Sequence, residues 1–202
     1  MIRQTIAFLL AILILCAPAF AVDAVSSATV DIDTLPEMAA HEGASTLVIY
    51  FSTDDTVKAV ALTAANALNA DVFEVVPEVP YTKADLTYYT DCRADREQAD
   101  DSARPGIAAW PGDMEQYDTV FIGYPIWHGK APKILYTLVE GLNLTGKTIV
   151  PFCTSVSSPA GSSAVDLSRA ASDMATWLDV TRISNGATAE QISAWAASQM
   201  IM

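Results

Sequence analysis

Histidine and cysteine, two common metal ligands, are scarce in this chain. It contains 2 histidines and 3 cysteines among 202 residues, and they are scattered along the sequence. A zinc or transition-metal site is therefore not expected. The G-x-S-x-G motif of many serine hydrolases is absent as well, which argues against a hydrolase of that class.

Positive charge is also sparse. The chain has 11 Lys and Arg residues against 24 Asp and Glu residues, which gives a formal net charge of −13. Such an acidic surface repels nucleic acid and anionic membranes, so we expect no nucleic-acid partner. Small ligands and basic proteins remain as partners, unless the acidic residues serve only to keep the protein soluble.

The N-terminal apolar run is too short for a membrane span. It extends from Ile6 to Cys16, whereas a membrane helix needs roughly 20 residues. Arg3 before it and Ala19-Phe20-Ala21 after it predict a signal peptide over residues 1–21. We therefore expect an exported protein, periplasmic or extracellular, without a stable membrane span after cleavage. An uncleaved anchor or a lipid on Cys16 is the less favoured alternative.

Residues 22–44 are small and acidic and lack a periodic apolar face. This composition predicts a flexible tether between the signal peptide and a folded domain over residues 45–202. Cys92 and Cys153 remain as the only thiols of that exported domain. They either pair or lie buried as apolar residues, and burial is the favoured alternative.

Strand and helix patterns alternate along residues 45–202. Bounded apolar runs predict strands at residues 46–51, 71–76, 119–124, 148–153 and 178–183, and helical spacing predicts helices at residues 57–68, 132–140, 164–177 and 188–200. The polar stretch over residues 81–110 predicts an excursion over the ligand pocket, with a solvated helix in the charged run 91–104. Alternating strands and helices favour a parallel sheet covered on both faces. The expected fold class is α/β, a three-layer doubly wound domain with a five-stranded parallel sheet.

In such sheets the ligand binds at the carboxyl ends of the strands, where the strand order reverses. The candidate binding residues are Ser52, Thr53, Asp54, Asp55, Thr56 and Val57 after the first strand, Pro125, Ile126, Trp127, His128 and Gly129 after the third, and Thr154, Ser155 and Val156 after the fourth. Hydroxyls and free N–H groups at a helix start favour a phosphate. Trp127 suits a flat conjugated ring, and Gly129 allows a close backbone approach.

Four segments carry motifs of a known family. They are Tyr50-Phe51-Ser52, Gly123-Tyr-Pro-Ile-Trp127 with Gly129, Ala131 and Pro132, Gly146-Lys147, and Pro151-Phe-Cys-Thr-Ser155. From about Thr46 to Trp195 the sequence resembles the flavodoxin family, in the branch with the GYPIWWG-x-AP signature. The resemblance implies a flavodoxin-like fold with FMN as cofactor. It places the first loop at the FMN phosphate, and the loops at Trp127 and Thr154 around the isoalloxazine ring.

The first loop departs from the S-x-T-G-N-T pattern of that family. Asp54, Asp55, Thr56 and Val57 replace Thr, Gly, Asn and Thr, while His128 replaces the second Trp of the signature and Val156-Ser157 replace glycines. A carboxylate about 4 Å from a phosphate charge costs on the order of 4 kcal/mol at an effective dielectric constant near 20. Either the aspartates face the phosphate and weaken FMN binding, or they cap the helix with their charges in water and binding survives.

A second phosphate-binding pattern stands in the wrong context. Gly141 to Thr148 matches G-x-x-x-x-G-K-T letter for letter. That motif must leave a strand and open a helix, whereas here a predicted helix precedes it and a predicted strand follows. We therefore interpret Gly146 as a turn residue and Lys147 as the entrance to the strand.

Together these features predict an exported FMN-binding redox protein, either an electron carrier or a small quinone or nicotinamide oxidoreductase. The flavin would do the chemistry, so no catalytic side chain is assigned. Its partners would be the flavin and a redox protein or quinone. The competing hypothesis, motivated by Asp54 and Asp55, is a flavin-free module that binds another small molecule or a protein at the same edge.

Overall fold

The structure, a computed structural model, describes residues 45–171 and 174–201, so the predicted signal peptide and tether lie outside the described residues. The strands are β1 (Thr46–Tyr50), β2 (Asp71–Glu74), β3 (Thr119–Pro125), β4 (Thr148–Thr154), β5 (Thr176–Trp177) and β6 (Thr181–Ile183). The helices are α1 (Asp55–Leu68), α2 (Arg93–Ala99), α3 (Lys133–Gly141), α4 (Ser163–Ala170) and α5 (Ala189–Gln199), and a short 3-10 turn covers Ala84–Leu86.

The strands form one parallel sheet in the order β2-β1-β3-β4, and β5 and β6 both pair with β4. The two short strands therefore share the fifth position of the sheet. The chain runs outward from β1 to β2 and then returns to add β3 on the other side of β1, which makes the β1/β3 boundary the point where the strand order reverses. The predicted five-position, doubly wound α/β fold is confirmed.

Strand β1 shows how the core divides into two layers. Its five residues are all buried, and neighbouring residues point to opposite faces of the sheet. Leu47 and Ile49 belong to the cluster that includes α3 and α4, whereas Val48 and Tyr50 belong to the cluster that includes α1 and α5. A continuous apolar run is thus the pattern expected of a strand covered on both faces.

The fifth strand was predicted as one run and is observed as two. Leu178 N donates to Ile149 O at 2.9 Å, so the backbone groups of Ile149 point from β4 toward the fifth position of the sheet. Residues two apart in a strand present their backbone groups to the same neighbour, and those of Pro151 therefore point toward the fifth position as well. Because proline has no N–H to donate, the ladder is interrupted between β5 and β6.

Two predicted helices are shorter than expected. The helix predicted over residues 164–177 ends at Ala170, and the charged run 91–104 forms a helix only over Arg93–Ala99. The second helix is also less solvated than predicted, since Ala94 and Gln98 are buried. Three of its charged residues, Arg93, Asp95 and Glu97, are only partly exposed, and Arg96 is the one that faces water.

Two remaining expectations, on the cysteines and on Lys147, have a clear outcome. Cys92 and Cys153 are free and buried, as the favoured alternative predicted. The Lys147 ammonium donates to Met114 O and Tyr117 O, both at 2.6 Å, so this lysine anchors the chain before β4 and has no phosphate-binding role. Among the described residues, no helix has the length and apolar character that crossing a bilayer requires.

A close contact across the β3–β4 pair generates a stability prediction. Gly123 lies opposite Phe152, and a Cβ added at Gly123 would come within 2.2 Å of the fully buried Phe152 ring. We expect Gly123→Ala to lower the free energy of unfolding by about 1–3 kcal/mol through overpacking, measured by urea denaturation. Gly112→Ala is the control, because a Cβ there meets no described atom within 4 Å. Equal stability of the two variants would contradict this packing.

Candidate functional site

A cavity of about 340 Å³ lies at the carboxyl ends of β1, β3 and β4. Its lining comprises Thr53, Asp54, Thr56, Tyr88, Pro125, Ile126, Trp127, Thr154, Ser155, Val156, Ser157, Ser158 and Asn185. The three loops chosen from the sequence thus meet at one edge. The volume is at the lower end of the range for small-molecule sites, about 300–1,000 Å³.

The loop after β1 ends in a helix cap. Asp54 is the N-cap of α1, with extended backbone, and its Oδ1 accepts a hydrogen bond from Thr56 N at 3.0 Å. The Ser52 hydroxyl donates to the Asp54 carbonyl oxygen. Asp54 therefore combines the two alternatives left open by the sequence, because it caps α1 as an exposed residue and also lines the cavity.

The loop after β3 contains a tight turn. Trp127 and Lys130 exchange two backbone hydrogen bonds of 2.9 Å, and the two residues between them have positive φ, +48° for His128 and +77° for Gly129. This is the geometry of a type I′ turn, which favours glycine. A Cβ at Gly129 would meet no described atom within 4 Å, so within the protein it is the turn, with its positive φ, that favours glycine here.

The buried side-chain amide of Gln98, in helix α2, fixes this turn. The Gln98 amide donates to Trp127 O at 3.1 Å and to Ala131 O at 3.2 Å, and its oxygen accepts from Lys133 N at 3.0 Å. Both the nitrogen and the oxygen of this amide thus bond to backbone groups of residues 127–133. Sequence reasoning missed Gln98, because its burial depends on how α2 packs.

A second link joins the excursion to the same turn. The Asp95 carboxylate lies 2.8 Å from His128 Nε2 and also accepts from Thr90 N at 3.0 Å. Although desolvation raises it, hydrogen bonds from backbone N–H groups and from His128 hold the pKa of Asp95 below its usual range. His128 therefore fixes the rim of the cavity and does not belong to its lining.

Aromatic side chains form the inner wall of the cavity. Trp127 is only 3% exposed and meets Phe51, Tyr81 and Tyr88 edge-to-face, with ring centroids 5.5, 5.2 and 6.4 Å away. Tyr88 is 38% exposed, so it offers more free ring surface than Trp127. Burial, followed by Cys92, Asp54 and Asp95, raises the pKa of Tyr88 to about 12, so its hydroxyl keeps its proton at neutral pH.

The loop after β4 is held by a cation from β6. Arg182 donates from Nε to Ser155 Oγ at 3.0 Å and from a terminal nitrogen to Ser155 O at 2.9 Å and Val156 O at 3.4 Å. The Ser155 hydroxyl in turn donates to Ser158 O. The loop has a defined shape for this reason, although it leaves the Val156 side chain 89% exposed.

The sequence-predicted residues divide into three groups. Nine line the cavity, namely Thr53, Asp54, Thr56, Pro125, Ile126, Trp127, Thr154, Ser155 and Val156. Ser52, Asp55, His128 and Gly129 lie around it, and Val57 is fully buried in the core under α1.

Four lining residues escaped the sequence analysis: Tyr88, Ser157, Ser158 and Asn185. Ser157 and Ser158 simply extend a predicted loop. Asn185 follows the last strand, so the rule applied to the first, third and fourth strands could have found it. Tyr88 lies in the stretch 81–110 that was predicted to pass over the pocket, but no local pattern distinguishes it from the other residues of that stretch.

The side chains that line the cavity are suited to binding a ligand. Hydroxyls and an aromatic wall face it, and Asp54 is the one ionised side chain among the described residues of its lining. In the described part of the chain, no group of three or more His, Cys, Asp or Glu side chains is arranged to hold a metal ion. The arrangement suits a planar ligand with polar edges.

A second cavity, of about 460 Å³, lies between α4 and the β5–β6 edge. Its lining includes Ala160, Ala164, Val165, Trp177 and Leu178, with Ser168 and Asp179 as polar members. Larger volume alone does not identify a site, because its lining brings together few polar groups.

Comparisons with known proteins agree with this geometry. The model of the Flavodoxin family matches residues 45–199. The crystal structure of a candidate flavoprotein from Bacteroides eggerthii is 36% identical, covers 78% of this chain and 99% of that one, and has a TM-score of 0.71. A candidate flavoprotein from Bacteroides uniformis is 33% identical, with 77% and 99% coverage and a TM-score of 0.71.

A more distant structure shares the fold. The flavoprotein from Lactobacillus acidophilus NCFM, crystallised in complex with FMN, is 22% identical, covers 69% of this chain and 93% of its own, and has a TM-score of 0.57. The search of curated proteins found no match to this chain. The family model spans most of the folded domain, and two solved relatives exceed 30% identity. The chain belongs to the flavodoxin family.

Proposed function

We propose that this protein is an FMN-binding redox protein of the flavodoxin type, exported after removal of residues 1–21. The observation that carries the proposal is the cavity of about 340 Å³ with an aromatic wall, placed where a doubly wound sheet of this family reverses its strand order. The FMN bound by the Lactobacillus acidophilus flavoprotein supports the choice of cofactor.

The ring end of the cavity fits an isoalloxazine group. Tyr88, Ile126 and Trp127 supply an aromatic and apolar wall, and Thr154 and Ser155 bring hydroxyl and backbone groups to the same space. When bound, a flavin supplies electron transfer. The residues of this chain would bind the ring, orient it and limit its contact with water.

The phosphate end does not fit in the same way. The N–H of Thr56, at the start of α1, already donates to the Asp54 carboxylate at 3.0 Å. A phosphate in the position implied by the resemblance would compete with this side chain. The same observation favours the second candidate function, a flavin-free module that binds another small molecule or a protein at this edge.

The redox role, the signature branch and export are also proposed. An electron carrier and a small quinone or nicotinamide oxidoreductase both agree with a flavin at an open edge, with a redox protein or a quinone as partner. Gly123 to Trp127 supports the branch with the GYPIWWG-x-AP signature. Export rests on Arg3 and Ala19-Phe20-Ala21, and an unprocessed Met1 on the mature protein would contradict it.

Flavin binding is the direct test. We expect purified protein mixed with FMN to quench flavin fluorescence and to shift the visible absorbance bands, with saturation at one flavin per chain. The control is the same titration with urea-unfolded protein. Folded protein that leaves FMN unchanged would favour the flavin-free module.

Tyr88 should contribute to ring binding. We expect Tyr88→Leu to weaken flavin binding roughly three- to tenfold, because an aromatic contact is worth about 0.5–1.5 kcal/mol beyond buried area. Tyr89→Leu is the matched control, since Tyr89 is 90% exposed and contacts His128 outside the lining. Equal affinity of both variants, measured by fluorescence titration, would remove Tyr88 from the site.

Arg182 should act on binding through the loop after β4. We expect Arg182→Gln to weaken flavin binding roughly threefold to tenfold, because the hydrogen bonds to Ser155 and Val156 are lost. Arg169→Gln removes the same charge from the exposed face of α4, where it pairs with Asp166 at 3.4 Å. A similar loss in both variants would mean that net charge, and not loop shape, sets the affinity.

A further inference from the structure

We propose that the cavity recognises the neutral part of a flavin and gains nothing from the phosphate, so that riboflavin binds at least as tightly as FMN. This inference rests on the proposed flavin site and specifies its ligand. It follows from the position of Asp54, which caps α1 and lines the cavity, from the charges of the lining, and from the hydroxyls beside them.

One N–H group at the start of α1, that of Thr56, is already bonded within the protein. Asp54 has N-cap geometry, with φ −132° and ψ 171°, and accepts the Thr56 N–H. The Ser52 hydroxyl is used as a donor to the Asp54 carbonyl oxygen. A carboxylate at the N-cap already gains the favourable interaction with the helix dipole that a phosphate would otherwise have. A phosphate must therefore displace Asp54 or lie beside its negative charge.

The lining offers no positive charge in compensation. Among the described lining residues there is no Lys, Arg or His, and Asp54 is the ionised one. Arg182 stands behind the loop after β4 and directs its N–H groups to Ser155 and Val156. No cationic side chain of the described lining therefore offsets the repulsion between the phosphate and Asp54.

The neutral part of a flavin meets better partners. Thr53, Thr56 and Ser157 place hydroxyl-bearing residues in the same lining as the aromatic wall. Hydroxyls both donate and accept hydrogen bonds, as the hydroxyls of a ribityl chain require. Riboflavin and FMN share the ring and this chain, so the ratio of their affinities isolates the effect of the phosphate.

The experiment compares FMN and riboflavin in fluorescence titrations of wild-type protein, Asp54→Asn and Asp55→Asn at low salt. Asparagine is also a good N-cap residue, so Asp54→Asn removes the charge and keeps the cap. Asp55 lies in the first turn of α1, is exposed and is not part of the lining. Asp55→Asn therefore controls for the change in net charge.

We expect wild-type protein to bind riboflavin with equal or higher affinity than FMN. Asp54→Asn should raise the affinity for FMN relative to that for riboflavin by about tenfold or more, since two unit charges about 4 Å apart at an effective dielectric constant near 20 correspond to roughly a thousandfold in affinity, which solvent reduces. Asp55→Asn should change either affinity by less than about threefold.

Two results overturn the inference but leave the proposed function intact: a wild-type protein that binds FMN reproducibly more tightly than riboflavin, or an FMN-to-riboflavin affinity ratio that Asp54→Asn leaves unchanged. The wild-type comparison needs no variant, so a misfolded Asp54→Asn does not protect the inference. If neither flavin binds the folded wild-type protein, the proposed function itself fails. The two failures are therefore distinguishable.

Discussion

The parallel pairing of β3 with both β1 and β4 is the constraint on which the rest of the molecule depends. Seven residues of β3 pair in register with β4, from Thr119 opposite Thr148 to Pro125 opposite Thr154, and five residues of β1 pair with β3. Because parallel strands end at the same edge, this register brings three separate loops together. The cavity is a consequence of the sheet, and its walls then depend on what the loops contain.

The loops gain their shape from side chains outside the cavity. Gln98 fixes the turn after β3 with three hydrogen bonds, and Arg182 fixes the loop after β4. Amide and guanidinium groups are well suited to this role, because they donate to backbone carbonyl groups of the loops. A carbonyl left unpaired near a cavity is costly. A binding edge made of irregular backbone is thus stabilised by two polar residues from different layers of the fold.

The sequence was sufficient for the sheet, the three loops and most of the lining, because buried parallel strands and their carboxyl ends follow from local apolar runs. It was not sufficient for features that depend on contacts between distant segments. Tyr88 lies at the cavity through ring contacts with Trp127 and His128, which are distant in sequence. The interruption at Pro151 required knowing which neighbour each residue of β4 faces, and the orientation of Asp54 required the backbone geometry of the α1 cap.

Asp54 connects stability and ligand choice in one side chain. As an N-cap it stabilises α1, an effect that is typically about 1 kcal/mol for such residues, and it uses a backbone donor that an anion would otherwise bind. Here the Thr56 N–H is bonded without a ligand. Under the proposed flavin-binding function, the favourable free energy of binding then comes from the ring wall and the surrounding hydroxyls.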